Sequence, residues 1–225
     1  MLSQAVGEIL PFAVGVALSP IPVIAVIVML GTPGARSNGP AFAVGWVAGL
    51  TVVGIVVVLV AKGASVSEST ASDAVNWFKL ALGLFLVVLA ARKWRGRPKP
   101  GEETAMPAWM SGVDSFTPGR SLVLGLALSA ANPKNLALTA GAAASIAQAG
   151  LSEVGVAEAL ALFVVLGSLT VVGAVLFYLV DSDRAAGPLG SMKDFMTQHN
   201  AVIMMVVFLV FGAMLIGDGL AGVAR

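Results

Sequence analysis

The stretch that decides the fold is Gly125-Leu126-Ala127-Leu128-Ser129-Ala130-Ala131-Asn132-Pro133-Lys134-Asn135-Leu136, inside an apolar segment running from Leu122 to Ala149. The Asn132-Pro133 pair predicts a helix break, because proline donates no backbone hydrogen bond and its ring clashes with the preceding turn. No other charge in the chain lies as far from a loop as Lys134. A charge at the centre of a membrane helix costs about 2.5–3.5 kcal/mol on insertion scales. Lys134 is therefore a candidate site residue.

The composition is that of a polytopic membrane protein. The chain has 225 residues, of which 58% are hydrophobic and 11% charged, and its mean hydropathy is +0.95. A typical soluble domain carries about 25% charged residues. The chain has no cysteine and one histidine, His199, which excludes thiol chemistry and leaves little for a metal site. The first apolar segment lacks a basic start and a small-residue cleavage site, so we expect a retained helix.

Six apolar runs are long enough to cross a bilayer, which takes about 20 residues each. Polar or Gly/Pro-rich breaks separate them, and the break before the last run extends from Asp181 to Gln198. The sequence therefore predicts an all-α protein with six transmembrane helices, near 8–30, 41–61, 76–94, 121–148, 157–180 and 199–220.

Three motifs recur in the same order in the two halves of the chain. The motif at 15–19 (Gly-Val-Ala-Leu-Ser) is echoed at 125–129, Leu50-Thr51-Val52-Val53-Gly54 recurs at 169–173, and 80–83 matches 209–212 more weakly. Three helices per repeat force the halves into opposite orientations, the inverted architecture of many secondary transporters. We predict two inverted three-helix repeats, 1–97 and 120–225, joined by a cytoplasmic loop at 98–119. The first and fourth helices are broken by proline.

The distribution of basic residues predicts the orientation. If the loops after helices one, three and five share a side, the opposite side holds only Lys62, Lys79 and Arg225. The positive-inside rule makes the richer side cytoplasmic and places both termini outside. The cytoplasmic set is Arg36, Arg92, Lys93, Arg95, Arg97, Lys99, Arg120, Arg184 and Lys193.

The broken helices predict a binding site at membrane depth. Freed backbone groups are tolerated there only where they line a cavity or are buried in protein, and helix N-termini add partial positive charge. With the ammonium of Lys134, this combination favours an anionic group. The predicted substrate-binding residues are Ser19, Pro20, Pro22, Ser129, Asn132, Pro133, Lys134 and Asn135.

Other interpretations of these residues stay open. Lys134 could pair with a buried carboxylate or cap carbonyls of the opposing broken helix, and the two prolines could merely kink their helix. Ser19 and Ser129 could bond to carbonyls of their own helices. Asp218 is a candidate for proton coupling or a solvated helix end. Arg36 is a candidate cytoplasmic gate or a topology signal.

The order of short motifs resembles a known family of carriers. The broken first and fourth helices with Asn132-Pro133-Lys134 are similar to those of the lysine-exporter (LysE) superfamily. Within it, the motifs Ser19 to Val23, Ala41 to Trp46 and Asn132 to Leu136 resemble the GAP family, which is named for addressing glycolipids to the cell envelope and includes sulfolipid-addressing proteins. Amino-acid exporters usually carry Pro-Gly-Pro in the first helix, whereas Ile21 separates the prolines here. This difference weakens the inference that the substrate is an amino acid.

The resemblance and the residues together predict a cell-membrane transporter or flippase for an anionic lipid or glycolipid. A small amino-acid or organic-anion exporter and a non-catalytic accessory subunit of a larger lipid exporter are the alternatives. We expect no enzyme activity, cofactor, metal or nucleic-acid partner. The expected partners are membrane lipids, the anionic amphiphile itself, a second copy of the chain and a larger lipid-export complex.

Overall fold

All regular elements in the described part of the chain are helical. The computed structural model describes residues 2–64, 70–97, 112–113 and 115–223. Its helices, in chain order, are α1 (Leu2–Ala17), α2 (Pro20–Leu30), α3 (Ala35–Ala64), α4 (Thr70–Arg95), α5 (Pro118–Ala130), α6 (Pro133–Gln148), α7 (Glu153–Val180) and α8 (Ser182–Val223). The predicted loop 98–119 lies mostly outside the described residues, as do Lys99 and Arg225, so the predicted repeat boundaries stay predictions.

The two predicted helix breaks are present. Ser19 and Asn132 have extended backbones and precede Pro20 and Pro133, each the first residue of a new helix. Proline disfavours helical geometry in the residue before it, so each helix ends where the sequence places an X-Pro step. The axes of α1 and α2 differ by 50°. Pro22, in contrast, marks no break, since it lies in the first turn of α2.

Several helices have the length and apolarity of membrane spans. By these criteria α3, α7 and α8 qualify, and the bent pair α1–α2 makes a fourth if counted as one span. The regular structure of residues 2–64, 70–97 and 115–223 is therefore all-helical, and the chain has the composition and helices of a membrane protein.

The prediction of a loop from Asp181 to Gln198 is wrong. Helix α8 begins at Ser182 and continues for 42 residues to Val223. Its polar first part buries Ala185, Leu189 and Met196, so it is an amphipathic helix whose apolar residues cover one face. At 1.5 Å per residue α8 is about 63 Å long, roughly twice the hydrocarbon thickness of a bilayer.

Small residues let the helix backbones approach closely. A Cβ atom on Gly45 of α3 would overlap the carbonyl oxygen of Leu122 in α5, and one on Gly125 would overlap that of Phe42. Between α4 and α8, a Cβ on Gly83 would lie 2.8 Å from the carbonyl oxygen of Gly212. Close glycine contacts of this kind are typical of helix packing in membranes.

Candidate functional site

Lys134 connects the two broken helices. It is the second residue of α6, and its side chain is only 1% exposed. Its Nζ donates to Ser19 Oγ at 2.6 Å, and Ser19 is the residue that caps the start of α2. One buried hydrogen bond therefore joins the break in the first half of the chain to the break in the second half.

Ser19 is the centre of this junction. Its Oγ lies 2.5 Å from the carbonyl oxygen of Val16 and 2.8 Å from Oδ1 of Asn135. A hydroxyl has one proton, so Ser19 donates to one of these oxygens at a time while accepting from Lys134. Ser19 thus has two acceptors within reach for its one proton, so it could exchange one hydrogen-bond partner for the other.

Polar side chains satisfy the carbonyls that the breaks release. Asn135 donates from Nδ2 to the carbonyl of Leu128 at 2.9 Å, and Thr170 of α7 donates to the carbonyl of Ala17 at 2.7 Å. Asn132 caps α6 by accepting from the backbone N–H of Lys134 at 3.0 Å. The last carbonyls of a helix lack partners within it, and here the side chains of Asn135 and Thr170 donate to two of them.

The ammonium of Lys134 has no carboxylate beside it in the described part of the chain. The ion pairs found there are Lys62–Glu153, Arg184–Asp181 and Lys193–Asp194. An ammonium has three N–H donors, and the contact with Ser19 uses one of them. Among the described residues, no acidic side chain lies within 4 Å of the Lys134 nitrogen, so a positive charge there has no carboxylate to compensate it.

The backbone around the break in the first half offers fewer donors than the sequence suggested. Pro20 and Pro22 have no N–H, and the N–H of Val23 donates to the carbonyl of Ser19 at 3.3 Å. Ile21 carries the one remaining N–H among the first three residues of α2. The N-termini of α2 and α6 still contribute partial positive charge, but Lys134 is the main attraction for an anion.

Three buried polar groups in the bundle are not among the predicted site residues. Trp46 Nε1, Thr139 Oγ1 and Ser168 Oγ have no hydrogen-bond partner among the described residues. They belong to α3, α6 and α7, which pack against one another. Each lies in an apolar run, where nothing in the local sequence distinguishes a polar ligand from a packing residue. Buried polar atoms without partners are uncommon and need an explanation; an additional polar ligand group would provide one.

The other predicted residues lie in different places. Ser129 donates to Leu126 in its own helix at 3.0 Å, which is the local alternative left open above. Pro133 is exposed, while Pro20 and Pro22 are buried. Arg36 is exposed in the first turn of α3, and no described contact joins it to Lys134. The structure thus brings together Ser19, Lys134 and Asn135, with Asn132 as the cap.

Asp218 belongs to a second polar region. It lines a cavity with Glu8 and Lys79 at an end of the helix bundle. Lys79 is 7% exposed and donates to Gln148 Oε1 at 2.6 Å. Lys79 was predicted only as a topology signal, although its position inside the predicted span 76–94 indicates burial.

The fold and this junction define a class, namely helical membrane proteins with a buried cation where two broken helices meet. The model of the family described as "Sap, sulfolipid-1-addressing protein" matches residues 9–221. The chain belongs to this family, which confirms the resemblance to sulfolipid-addressing proteins and indicates a role in lipid or sulfolipid transport or localisation. No curated protein and no solved structure matches the chain.

Proposed function

We propose that this protein is a transporter or flippase that moves an anionic lipid or glycolipid across the cell membrane toward the envelope. The headgroup binds at Lys134, where the two broken helices meet. The observation that carries the proposal is the buried ammonium, 1% exposed, with no carboxylate within 4 Å in the described part of the chain. The activity is transport without a catalytic step, a cofactor or a metal.

Charge compensation is the physical reason for an anionic substrate. Removing an ammonium from water costs several kcal/mol, and this penalty is offset only by good partners. One hydroxyl at 2.6 Å is a weak partner for a full charge. A phosphate, sulfate or carboxylate that replaced or joined Ser19 would accept the remaining N–H donors and form charge-assisted hydrogen bonds.

Two surface features support an amphiphile over a small solute. A groove of about 490 Å³ between α3 and α7 is lined by apolar side chains such as Ile55, Leu160 and Val165, and it would accept an acyl chain. Ala131 and Pro133, which precede Lys134 in the chain, are exposed on the surface of the bundle. In the proposed mechanism the bundle opens beside these residues, so that a headgroup reaches the buried ammonium while its tails stay in the bilayer. Family membership favours a lipid as well.

We propose that the chain has six spans arranged as two inverted repeats. The packing supports this, because α3 packs on α5 as α7 packs on α1, and α4 packs on its counterpart α8. Gly83 and Gly212, matched in the sequence repeat, meet at the α4–α8 contact. The six spans are then α1–α2, α3, α4, α5–α6, α7 and α8. In this arrangement the loops that follow α2, α4 and α7 are cytoplasmic. Arg36 then lies at the cytoplasmic entrance, and Asp218 lies on the outer side as a coupling candidate. A second copy of the chain or a larger export complex could pack on the exposed faces.

Lipid movement in vesicles tests the proposal. Purified protein is reconstituted with a fluorescent phosphatidylglycerol, and bleaching by an impermeant reductant reports its movement between leaflets. Lys134→Met keeps the side-chain length without the charge, and we expect it to slow movement more than tenfold. Lys62→Met removes an ammonium that is paired with Glu153 at the surface and should match the wild type.

The alternatives give different results in the same system. A Lys134→Met protein that elutes as a single species and moves lipid at the wild-type rate would remove the proposed site. Movement of neither lipid nor a radiolabelled amino acid by the wild type would favour the accessory-subunit interpretation. Uptake of the amino acid alone, lost in Lys134→Met, would favour the small-solute exporter.

A further inference from the structure

A second polar cavity lies at one end of the helix bundle, where α1 and α4 begin and α6 and α8 end. Its volume is about 410 Å³, within the range of about 300–1,000 Å³ that is typical of ligand sites. Its polar lining consists of Gln4, Glu8, Asn76, Lys79, Gln148 and Asp218. Alanines and Gly222 form the rest of the wall.

Lys79 is the buried cation of this cavity. Its side chain is 7% exposed, and its Nζ donates to Gln148 Oε1 at 2.6 Å. Two of its three N–H donors remain available for a ligand. Among the described residues, Lys79 and Lys134 are the two charged side chains that are buried.

The charged side chains of the cavity do not touch one another. Glu8 and Asp218 line the same space as Lys79, yet none of the three takes part in an ion pair within 4 Å in the part of the chain that the structure describes. A cavity lined by groups of both signs is complementary to a ligand that carries both signs. A ligand with one charge would leave the other side uncompensated.

Asn76 provides an independent indication of a ligand. It is 6% exposed, it lines the cavity, and the described residues offer it no hydrogen-bond partner. Its amide packs so closely on Gly222 that a Cβ atom there would overlap it. Because this amide lines the cavity, it has donors and an acceptor that a ligand there would engage.

We propose that this cavity binds a zwitterion that carries a primary ammonium and a phosphate, such as the headgroup of phosphatidylethanolamine. The ammonium lies between Glu8 and Asp218, and the phosphate accepts from Lys79 and the amide of Asn76. Helix ends are the parts of membrane proteins that reach the headgroup region, which makes a lipid headgroup the natural source. This site is separate from Lys134, and ligand binding to it can be measured without measuring transport.

Binding of short-chain lipids to the detergent-purified protein, followed by native mass spectrometry, tests the site. We expect phosphatidylethanolamine to bind at least tenfold more tightly than phosphatidylglycerol, which has no ammonium. It should also bind more tightly than phosphatidylcholine, whose quaternary ammonium has no N–H to donate. Free phosphoethanolamine distinguishes the sources. Equal affinity would assign the site to a soluble zwitterion, and weaker affinity would assign it to the lipid.

Variants assign the two ends of the ligand. Lys79→Gln, and separately Glu8→Gln combined with Asp218→Asn, should each weaken phosphatidylethanolamine binding at least tenfold. Glu158→Gln alters an exposed carboxylate that does not line the cavity and should change nothing. Melting temperatures and elution profiles verify that each variant is folded. Equal binding of phosphatidylethanolamine and phosphatidylglycerol, equal binding of an uncharged glycolipid, or wild-type affinity in the folded variants would overturn the proposal.

Discussion

Ser19 and Ser129 occupy matching positions in the sequence repeat but have different roles. Ser129 makes a hydrogen bond within its own helix. Ser19 makes three close polar contacts, one with Val16 of α1 and two with Lys134 and Asn135 of α6. A hydrogen bond to a charged group contributes about 1.5–3 kcal/mol, whereas a hydroxyl bonded to its own helix carbonyl contributes little. The two serines therefore form a matched pair for mutation.

We expect Ser19→Ala to lower the free energy of unfolding by about 1–3 kcal/mol, because it leaves the Lys134 ammonium without its acceptor. Ser129→Ala should change it by less than about 1 kcal/mol. Chemical unfolding of each variant in mixed micelles, followed by tryptophan fluorescence, provides the comparison. Equal losses in the two variants would mean that the contact between Ser19 and Lys134 contributes no stability.

At the scale of helices, the contact between α3 and α5 depends on two glycines. Gly45 and Gly125 face the backbone carbonyls of the opposite helix so closely that a methyl group on either would overlap them. A backbone carbonyl cannot move aside as a flexible side chain can. Gly173, in the second copy of a repeated motif, has open space around its Cα instead.

We expect Gly45→Ala to force α3 and α5 apart and to destabilise the protein by about 1–3 kcal/mol, the usual cost of overpacking. Gly173→Ala is the matched control and should be neutral or stabilising by up to about 1 kcal/mol, because alanine favours helix more than glycine does. Melting temperatures in one detergent measure both. A Gly45→Ala protein as stable as the wild type would show that the two helices can separate without loss.

The helix breaks could be predicted from the sequence because their cause is local. The steric effect of proline on the preceding residue acts within two residues, so Asn132-Pro133 and Ser19-Pro20 predict their positions directly. The helical first part of α8 could not be predicted from its average polarity, because polar residues and glycines outnumber its apolar residues. The indication of a helix lies instead in the spacing of its few buried apolar residues, Ala185, Leu189 and Met196. The hydrogen bond of Lys134 was also out of reach, because its partner lies 115 residues away in the chain.

At the scale of the whole molecule, the length of α8 bears on the proposed topology. Only about 20 of its residues are needed to cross the hydrocarbon region. The polar first part, around Lys193 and Asp194, is then expected to lie outside the bilayer on the cytoplasmic side, where pairs such as Lys193–Asp194 at 3.5 Å remain hydrated. The start of α7 would lie on the opposite side.

Single cysteines test this topology cleanly, because the chain contains none. In intact cells, we expect an impermeant maleimide to label Val154→Cys, which is exposed at the start of α7. Asp194→Cys should react only after permeabilisation. Val206→Cys, exposed in the middle of the apolar part of α8, should react in neither case, because lipid surrounds it. Labelling of Asp194→Cys in intact cells would reverse the orientation.

Under the proposed function, the hydrogen bond between Lys134 and Ser19 also matters when no substrate is bound. It connects residues of the two proposed repeats, so rocking one half against the other would have to break it first. An anion that binds the Lys134 ammonium would replace Ser19 as its hydrogen-bond partner and so break this contact. Without substrate, the contact would hold the protein in its closed conformation. The same contact would then protect the membrane against leakage of ions and protons down their gradients.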